Sequence, residues 1–300
     1  MIAYQSIGNN GRIGNQLFQI ASTIGVAIEN GHDFVFNDSE IFKYLPKLQK
    51  YTTNHFNNIN NTYFESDFCH QNIKISSCEN VFLHGYFQSY KYFENNKQTI
   101  LDLLEINNPF FELTVKNIDF SNSCSIHIRR GDYVKIAQTN PFNPHPLQSI
   151  DYYKEAINII NSDRYFVFSD DIDWCKENLK DERVVFIDYP DKNFNYFSAD
   201  LCELQLMSLC EHNIIANSSF SWWSAYFNSN ENKKIIAPKT WFSNKYIEHI
   251  SNNFGKFAVN MVSFSNNTDT VLTGSNQLKF VVELTKYPTN YIKNNSVKNI

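Results

Sequence analysis

Twice along the chain, short apolar runs alternate with helical stretches, and that alternation leaves few folds open. The first series begins at once. MIAYQSIG reads as a strand and NNGRIGN as a glycine-rich turn, and Leu17, Ile20, Ala21, Ile24, Ala27 and Ile28 mark one face of a helix that stops at Gly31. HDFVFND is the next strand, and residues 40–80 are polar, Asn-rich and without a clear period. NVFLHGYFQSYKYF supplies a third strand that runs into an aromatic loop, with a helix following to about residue 106. A second series starts near residue 119: SCSIHIRR, RYFVFSDD, VVFIDY, NIIAN and KKIIAPKTW are strands. IDYYKEAINII, ADLCELQLMSLCEH and SFSWWSAYF are helices, and NPFNPHPLQS is a proline-punctuated loop. Strands alternating with helices imply parallel sheets joined by crossovers. Two such series imply two Rossmann-like α/β domains, at 1–118 and 119–250, with 251–300 an appendage whose role the sequence does not show.

Composition narrows the function classes. A chain of 300 residues that is 42% hydrophobic and 16% aromatic can bury a large core and is not disordered. Its net charge of −5, with no arginine-rich tract, argues against nucleic acid as a partner while leaving room for a local basic pocket. The cysteines at 69, 78, 124, 175, 202 and 210 show no C-x-x-C spacing, which disfavours a zinc site. The N-terminus lacks the basic and apolar regions of a signal peptide, and no run reaches the ~18 apolar residues of a membrane span. A cytoplasmic protein is expected, with peripheral contact at the inner face of a membrane left open.

Ligands of open α/β sheets sit beyond the C-terminal ends of the strands, and three strand ends here carry polar chemistry. At CSIHIRRGDYV, Ile126 and Ile128 alternate with His127 and Arg129, so ring and guanidinium share a face. Arg130, Gly131 and Asp132 follow as a loop. Two adjacent arginines repel unless an anion lies between them. A lone Arg-Asp surface pair is the blander explanation, and His127, which needs either a partner or a ligand, weighs against it. At NIIANSSFSWW, Ser218, Ser219 and Phe220 open a helix whose unpaired N–H groups suit phosphate oxygens, although an ordinary N-cap explains the serines alone. At VFSDDIDW, Asp170 and Asp171 could accept hydrogen bonds from a nucleoside, or Asp171 and Asp173 could form a metal-binding D-x-D. Gly8, Gly11 and Gly14 are spaced one residue too long for the dinucleotide fingerprint, even with Asp38 mimicking its acid. Asn15 and Gln16 offer amides at the helix start instead. Tyr86, Phe87, Tyr90 and Tyr92 form an aromatic loop that could stack on a sugar or simply fill a core.

HIRRGDY, FSDD, LMSLCEHNIIANSSFSWWSAY, GRIGNQLFQIA and GYFQSYKYF together resemble the α-1,2-fucosyltransferases in their soluble bacterial form, from about residue 5 to 242, with the H-x-R-R-x-D and N-S-S-F-S-W-W blocks specific as a set. The resemblance implies a GT-B arrangement, two Rossmann-like domains facing across a cleft. It implies GDP-β-L-fucose as donor, a galactose-terminated glycan as acceptor and inversion at the anomeric carbon without a metal or other cofactor. On this chain it implies Arg129 and Arg130 on the pyrophosphate, Ser218, Ser219 and Phe220 on phosphate oxygens, and His127 with Asp170 or Asp171 near the nucleoside. Asn15 would reach the reacting centre, with Gln16, Tyr86 and Gln88 as acceptor-side candidates. Asp132 is nominated as general base or as a partner of Arg130. Two other classes compete: a metal-dependent transferase using Asp171 and Asp173, and a non-catalytic glycan- or nucleotide-sugar-binding module.

Overall fold

Two separate sheets carry the chain in the computed structural model, which describes residues 1–66, 70–188, 196–254 and 280–281. The described residues divide into two units between Pro109 and Phe110. In the first, β1 (Ile2–Tyr4), β2 (Phe34–Asn37), β3 (Thr52–Thr53), β4 (Asn61–Phe64) and β5 (Val81–His84) lie in the order β3-β2-β1-β5-β4. Every neighbouring pair is parallel. The helix α1 (Ile13–Glu29) links β1 to β2, and α2 (Lys97–Leu103) follows β5.

The sequence predicts one apolar face for α1, but the structure buries every residue from Ile13 to Ala27 except Asn15. Polar residues inside this helix therefore need partners. Gln19 Nε2 donates to the Asn10 carbonyl (2.9 Å), Ser22 Oγ to that of Phe87 (2.9 Å) and Thr23 Oγ1 back to that of Gln19 (2.7 Å). Phe87, Tyr90 and Tyr92 are core residues as well, so of that aromatic loop only Tyr86, 39% exposed, stands at the surface.

The second unit runs α3 (Pro109–Thr114), β6 (Ser123–Ile128), α4 (Gly131–Thr139), α5 (Ile150–Ile160), β7 (Arg164–Ser169) and α6 (Ile172–Asn178). It continues through β8 (Val184–Phe186), α7 (Tyr196–Leu209), β9 (His212–Ile214), α8 (Ser219–Phe227), β10 (Ile235–Ala237), α9 (Asn244–Phe254) and β11 (Phe280–Val281). The sheet order is β11-β10-β9-β6-β7-β8, parallel except for β11. Central β6 is buried along its whole length, as a strand covered on both faces should be.

Three expectations are corrected. The units part at 109/110 instead of 118/119, because Phe110, Phe111 and Val115 pack on Phe166, Leu206 and Met207 of the second sheet's core. Gly131–Thr139 is a helix, not a loop. Residues 251–254 close α9, and apart from them and β11 the segment 251–300 lies outside the described residues.

The strands that frame the site are locked by one buried amide. Asn213 on β9 donates to Ser125 Oγ on β6 (2.8 Å) and to the Met207 carbonyl of α7 (2.9 Å), and accepts from Asn228 Nδ2 after α8 (2.8 Å). Asn213→Leu should therefore strand several buried polar groups and lower stability by about 2–4 kcal/mol, read from denaturant unfolding. A loss below about 0.5 kcal/mol would show that the amide network does not hold these strands.

Candidate active site

In each parallel sheet the strand order reverses once, between β6 and β9 in the second unit and between β1 and β5 in the first. Crevices at such reversals, beyond the strands' C-terminal ends, are where open α/β sheets bind ligands.

In the second unit, strand register builds the charge cluster. β6 and β7 pair in parallel with Ile128 opposite Ser169, so the next residues bring Arg129 beside Asp170 and Arg130 beside Asp171. Arg129 Nη1 meets Asp170 Oδ2 at 2.6 Å and Nη2 meets Asp132 Oδ1 at 2.6 Å. Arg130 Nε donates to Asp171 Oδ2 at 2.9 Å, with its guanidinium 3.8 Å above the Trp174 ring. The other oxygen of Asp170 accepts the backbone N–H groups of Arg130 (2.8 Å) and Gly131 (3.1 Å). It thus caps α4 from another strand, since Arg130 at the N-cap position offers no side-chain cap. Gly131 is required here: a Cβ would overlap the Asp170 carboxylate.

Part of the anionic partner of the arginine pair is therefore internal. Asp170 and Asp171, expected near a nucleoside, are engaged with Arg129 and Arg130 instead, and Asp132 pairs with Arg129, not Arg130. Carboxylate pairs hold both guanidinium planes in fixed orientations. Among the described residues, both Nη groups of Arg130 remain without a partner. Asp171, one member of the D-x-D alternative, is the residue paired with Arg130. Among the described residues no group of three or more His, Cys, Asp or Glu is placed to hold a metal.

Helix α8 brings the second set of donors to the same crevice. Ser218 is its N-cap, with Oγ accepting from Phe220 N (3.3 Å), and Ser219 and Phe220 form the first turn. The starts of α4 and α8 are tied together: Tyr133 OH donates to the Asn217 carbonyl (3.0 Å), while Asn217 Nδ2 donates to the carbonyls of Pro146 and Trp241 (3.0 Å each). Arg129 lies 5.4 Å from the Tyr133 ring centroid, and His145 stacks on that ring at 4.9 Å.

His127 is buried at 5% exposure, 5.4 Å from the Phe220 ring, and its Nδ1 has no partner. Burial, reinforced by the nearby Arg129 charge, lowers its pKa to about 3, so it is neutral here. Glu203 on α7 was not singled out from the sequence. Burial, then the charges of Asp200 and Asp170, push its carboxyl up to about 8. The available signal was an acid inside the otherwise apolar stretch LCELQLM.

In the first unit, Gln88 Nε2, just beyond β5, donates to Asn15 Oδ1 at the start of α1 (2.5 Å), bridging the reversal point of that sheet. Gln16 departs from expectation: it is buried, and its Nε2 braces the turn through the Gly11 carbonyl (3.3 Å). A residue that follows Asn15 on a helix points about 100° away from it, here into the core.

The profile of glycosyl transferase family 11 matches residues 4–257. The chain belongs to this family. Among curated relatives it is 32% identical to the O-antigen biosynthesis glycosyltransferase WbnK of Escherichia coli, over 57% of this chain and 59% of that one. It is 36% identical to an alpha-1,2-colitosyltransferase of Escherichia coli, over 60% of this chain and 62% of that one. The alignments thus span about three fifths of these two relatives. A galactoside 2-alpha-L-fucosyltransferase of Caenorhabditis elegans is 27% identical over 73% of this chain and 67% of that one. Among solved structures, the fucosyltransferase NodZ from Bradyrhizobium superposes with a TM-score of 0.52 at 11% identity, covering 79% of this chain and 94% of that one. The family 11 chain thus has the GT-B class of fold, with two parallel-sheet α/β units. No helix among its described residues is long and apolar enough to cross a membrane.

His127 gives this family 11 chain an acid liability with a defined sign. The folded state resists protonation down to about 3, whereas the unfolded chain takes up the proton near 6.5. The contribution is therefore fully present above pH ~6.5 and is lost as pH falls toward the folded value. Stability should drop by roughly 2–3 kcal/mol between pH 6.5 and 4.5 from this group. Urea unfolding across that range should show His127→Gln losing this part of the slope, and an unchanged slope in the variant would assign the acid sensitivity elsewhere.

Proposed function

We propose that this family 11 glycosyltransferase moves L-fucose from GDP-β-L-fucose to the 2-hydroxyl of a terminal β-galactoside, inverting the anomeric carbon and using no metal. The observation that carries this reading is the Arg129–Arg130 pair, fixed by Asp170, Asp171 and Asp132 where the starts of α4 and α8 converge. As the fucosyl–oxygen bond breaks, negative charge grows on the leaving β-phosphate. Guanidinium groups held in place before the donor binds, with the start of α8 beside them, stabilise that charge without reorganising. The sugar takes on oxocarbenium character, and the acceptor hydroxyl adds from the opposite face. Asp132, engaged with Arg129, is assigned the orienting role and not that of general base. Guanine offers N1–H and a 2-amino group as adjacent donors. Uracil offers the single N3–H, so the donor assignment is read from GDP against UDP affinity, and equal affinities would count against it.

The 36% relative supports a second donor reading, in which the transferred sugar is colitose. Side-by-side turnover of the fucosyl and colitosyl nucleotides on lactose separates the two. The metal-dependent and binding-module alternatives are tested in the same assay with and without EDTA. Unchanged fucosyl transfer under chelation is expected. Loss of transfer restored by Mn²⁺ would favour the D-x-D reading, and GDP-fucose binding with no turnover would favour the binding module.

Arg129→Ala should fold and lose roughly two to three orders of magnitude in kcat. Arg129→Lys should not recover it, because one ammonium cannot bridge Asp170 and Asp132 while presenting a planar fork. Near-normal turnover of the Lys variant, with an unchanged melting temperature, would mean that charge alone suffices.

A further inference from the structure

The reversal point of the first sheet carries a clamp that the reaction scheme above does not use. Beyond β5 the chain makes a sharp turn through Gly85, at φ +155°, and Phe87, at φ +49°. A left-handed phenylalanine is strained and persists only where its surroundings over-determine it. Here Glu65, which directly follows β4, supplies the constraint. Its Oε2 accepts the backbone N–H groups of both Tyr86 (2.7 Å) and Phe87 (3.0 Å). Tyr4 OH donates to the Gly85 carbonyl (2.5 Å), Ser22 Oγ to the Phe87 carbonyl (2.9 Å), and the Phe87 side chain is fully buried. Gly85 has to be glycine for the same reason: a Cβ there would overlap Cβ of Glu65 and lie 2.6 Å from the carboxylate oxygen that makes both bonds.

The consequence appears on the next residue. With the backbone of 85–87 fixed from below, Gln88 leaves the turn with its amide 2.5 Å from Asn15, the one residue between Ile13 and Ala27 that α1 does not bury. We propose that Glu65 is a positioning residue for sugar-acceptor recognition: its carboxylate holds the Gly85–Gln88 turn so that Gln88 sets the orientation of the Asn15 amide. This rests on the transferase reading and on Asn15 and Gln88 facing the acceptor. The chemistry of the pair agrees with that class of ligand. Two primary amides provide directional donors and acceptors without net charge, which suits the hydroxyls of a neutral sugar and does not suit a diphosphate. A bond from Gln88 to Asn15 Oδ1 also fixes which end of the Asn15 amide is donor and which is acceptor.

The test compares Glu65→Ala, Glu65→Gln, Gln88→Ala and the double variant of Glu65→Ala with Gln88→Ala in the full chain. The donor is GDP-fucose and the acceptor lactose. GDP affinity is measured by calorimetry, and deuterium uptake is followed at residues 85–88. In Glu65→Ala the two charge-assisted bonds are lost, so KM for lactose should rise at least about tenfold, with GDP affinity within about twofold and uptake at 85–88 increased. Glu65→Gln keeps an acceptor oxygen at the same place and should restore KM to within about threefold. The double variant should be no worse than the poorer single one, because both act through the same amide. Equal lactose KM in Glu65→Ala and wild type, additive effects in the double variant, or a matching loss of GDP affinity would overturn the proposal. If Glu65→Ala does not fold, the Gln rescue is replaced by the Gln88→Ala profile, which must show the same KM-specific loss. A wild-type chain that transfers no fucose to lactose would defeat the fucosyl-to-galactoside reading on which the proposal rests. Uptake at 85–88 then still decides the clamp, which falls if Glu65→Ala exchanges like wild type.

Discussion

The contact on which the charge cluster of the second unit depends is the one between Asp170 and the start of α4. One carboxylate meets a guanidinium through one oxygen and two backbone amides through the other. Remove it and Arg129 loses one of its two carboxylate partners while the N–H groups of Arg130 and Gly131 at the start of α4 lose their acceptor. The arrangement also resolves an electrostatic problem. Adjacent arginines at a strand end repel, and a site that relied on its substrate to neutralise them would be poorly ordered without it. Three aspartates hold the pair in place beforehand. They do so from the sides, since the contacts use Nη1 and Nη2 of Arg129 and Nε of Arg130. A guanidinium has five donors, so holding it still and presenting it to an anion are compatible. An ammonium could not do both.

Much of this was legible in the sequence, and what was missed has a common physical cause. The alternation of strands and helices gave the two sheets, and IDYYKEAINII matched α5 residue for residue, with Ser149 as its N-cap and Asn161 left-handed at its end. Those signals are local. Helix α4 was misread because its cap lies about forty positions away, in Asp170, and no local cap residue precedes it. The unit boundary was misplaced because Phe110 and Phe111 join a core built by residues 166–220, which no local pattern reveals. The site shows the same division. The arginines and serines could be recognised from their places at strand ends, whereas the partners of the arginines follow from the β6–β7 register, which periodicity does not fix. Had the last residues of RYFVFS been aligned with those of SCSIHI, the pairs 129–170 and 130–171 would have followed directly. Gln16 was placed with the ligand because it neighbours Asn15, and the helical turn separates them.

The two reversal points show how one fold can be divided chemically. Both units put a helix start and a strand-end loop side by side, so both could have bound an anion through helix N-terminal amides. The second adds a pair of arginines held by three carboxylates, whereas the first has the exposed Arg12 at the N-cap position of α1. In the first, the corresponding place holds Asn15 and Gln88, joined to each other, and the nearby carboxylate of Glu65 is turned inward onto backbone N–H groups. That inward turn matters electrostatically. Satisfied by two backbone amides, that carboxylate is turned away from the side chains of Asn15 and Gln88. Under the proposed transfer, the fixed arginine pair of the second unit would meet the leaving phosphate. On that proposal, a charged donor asks for guanidinium groups held still before it arrives, while an uncharged acceptor asks for directional amides such as the joined pair of Asn15 and Gln88.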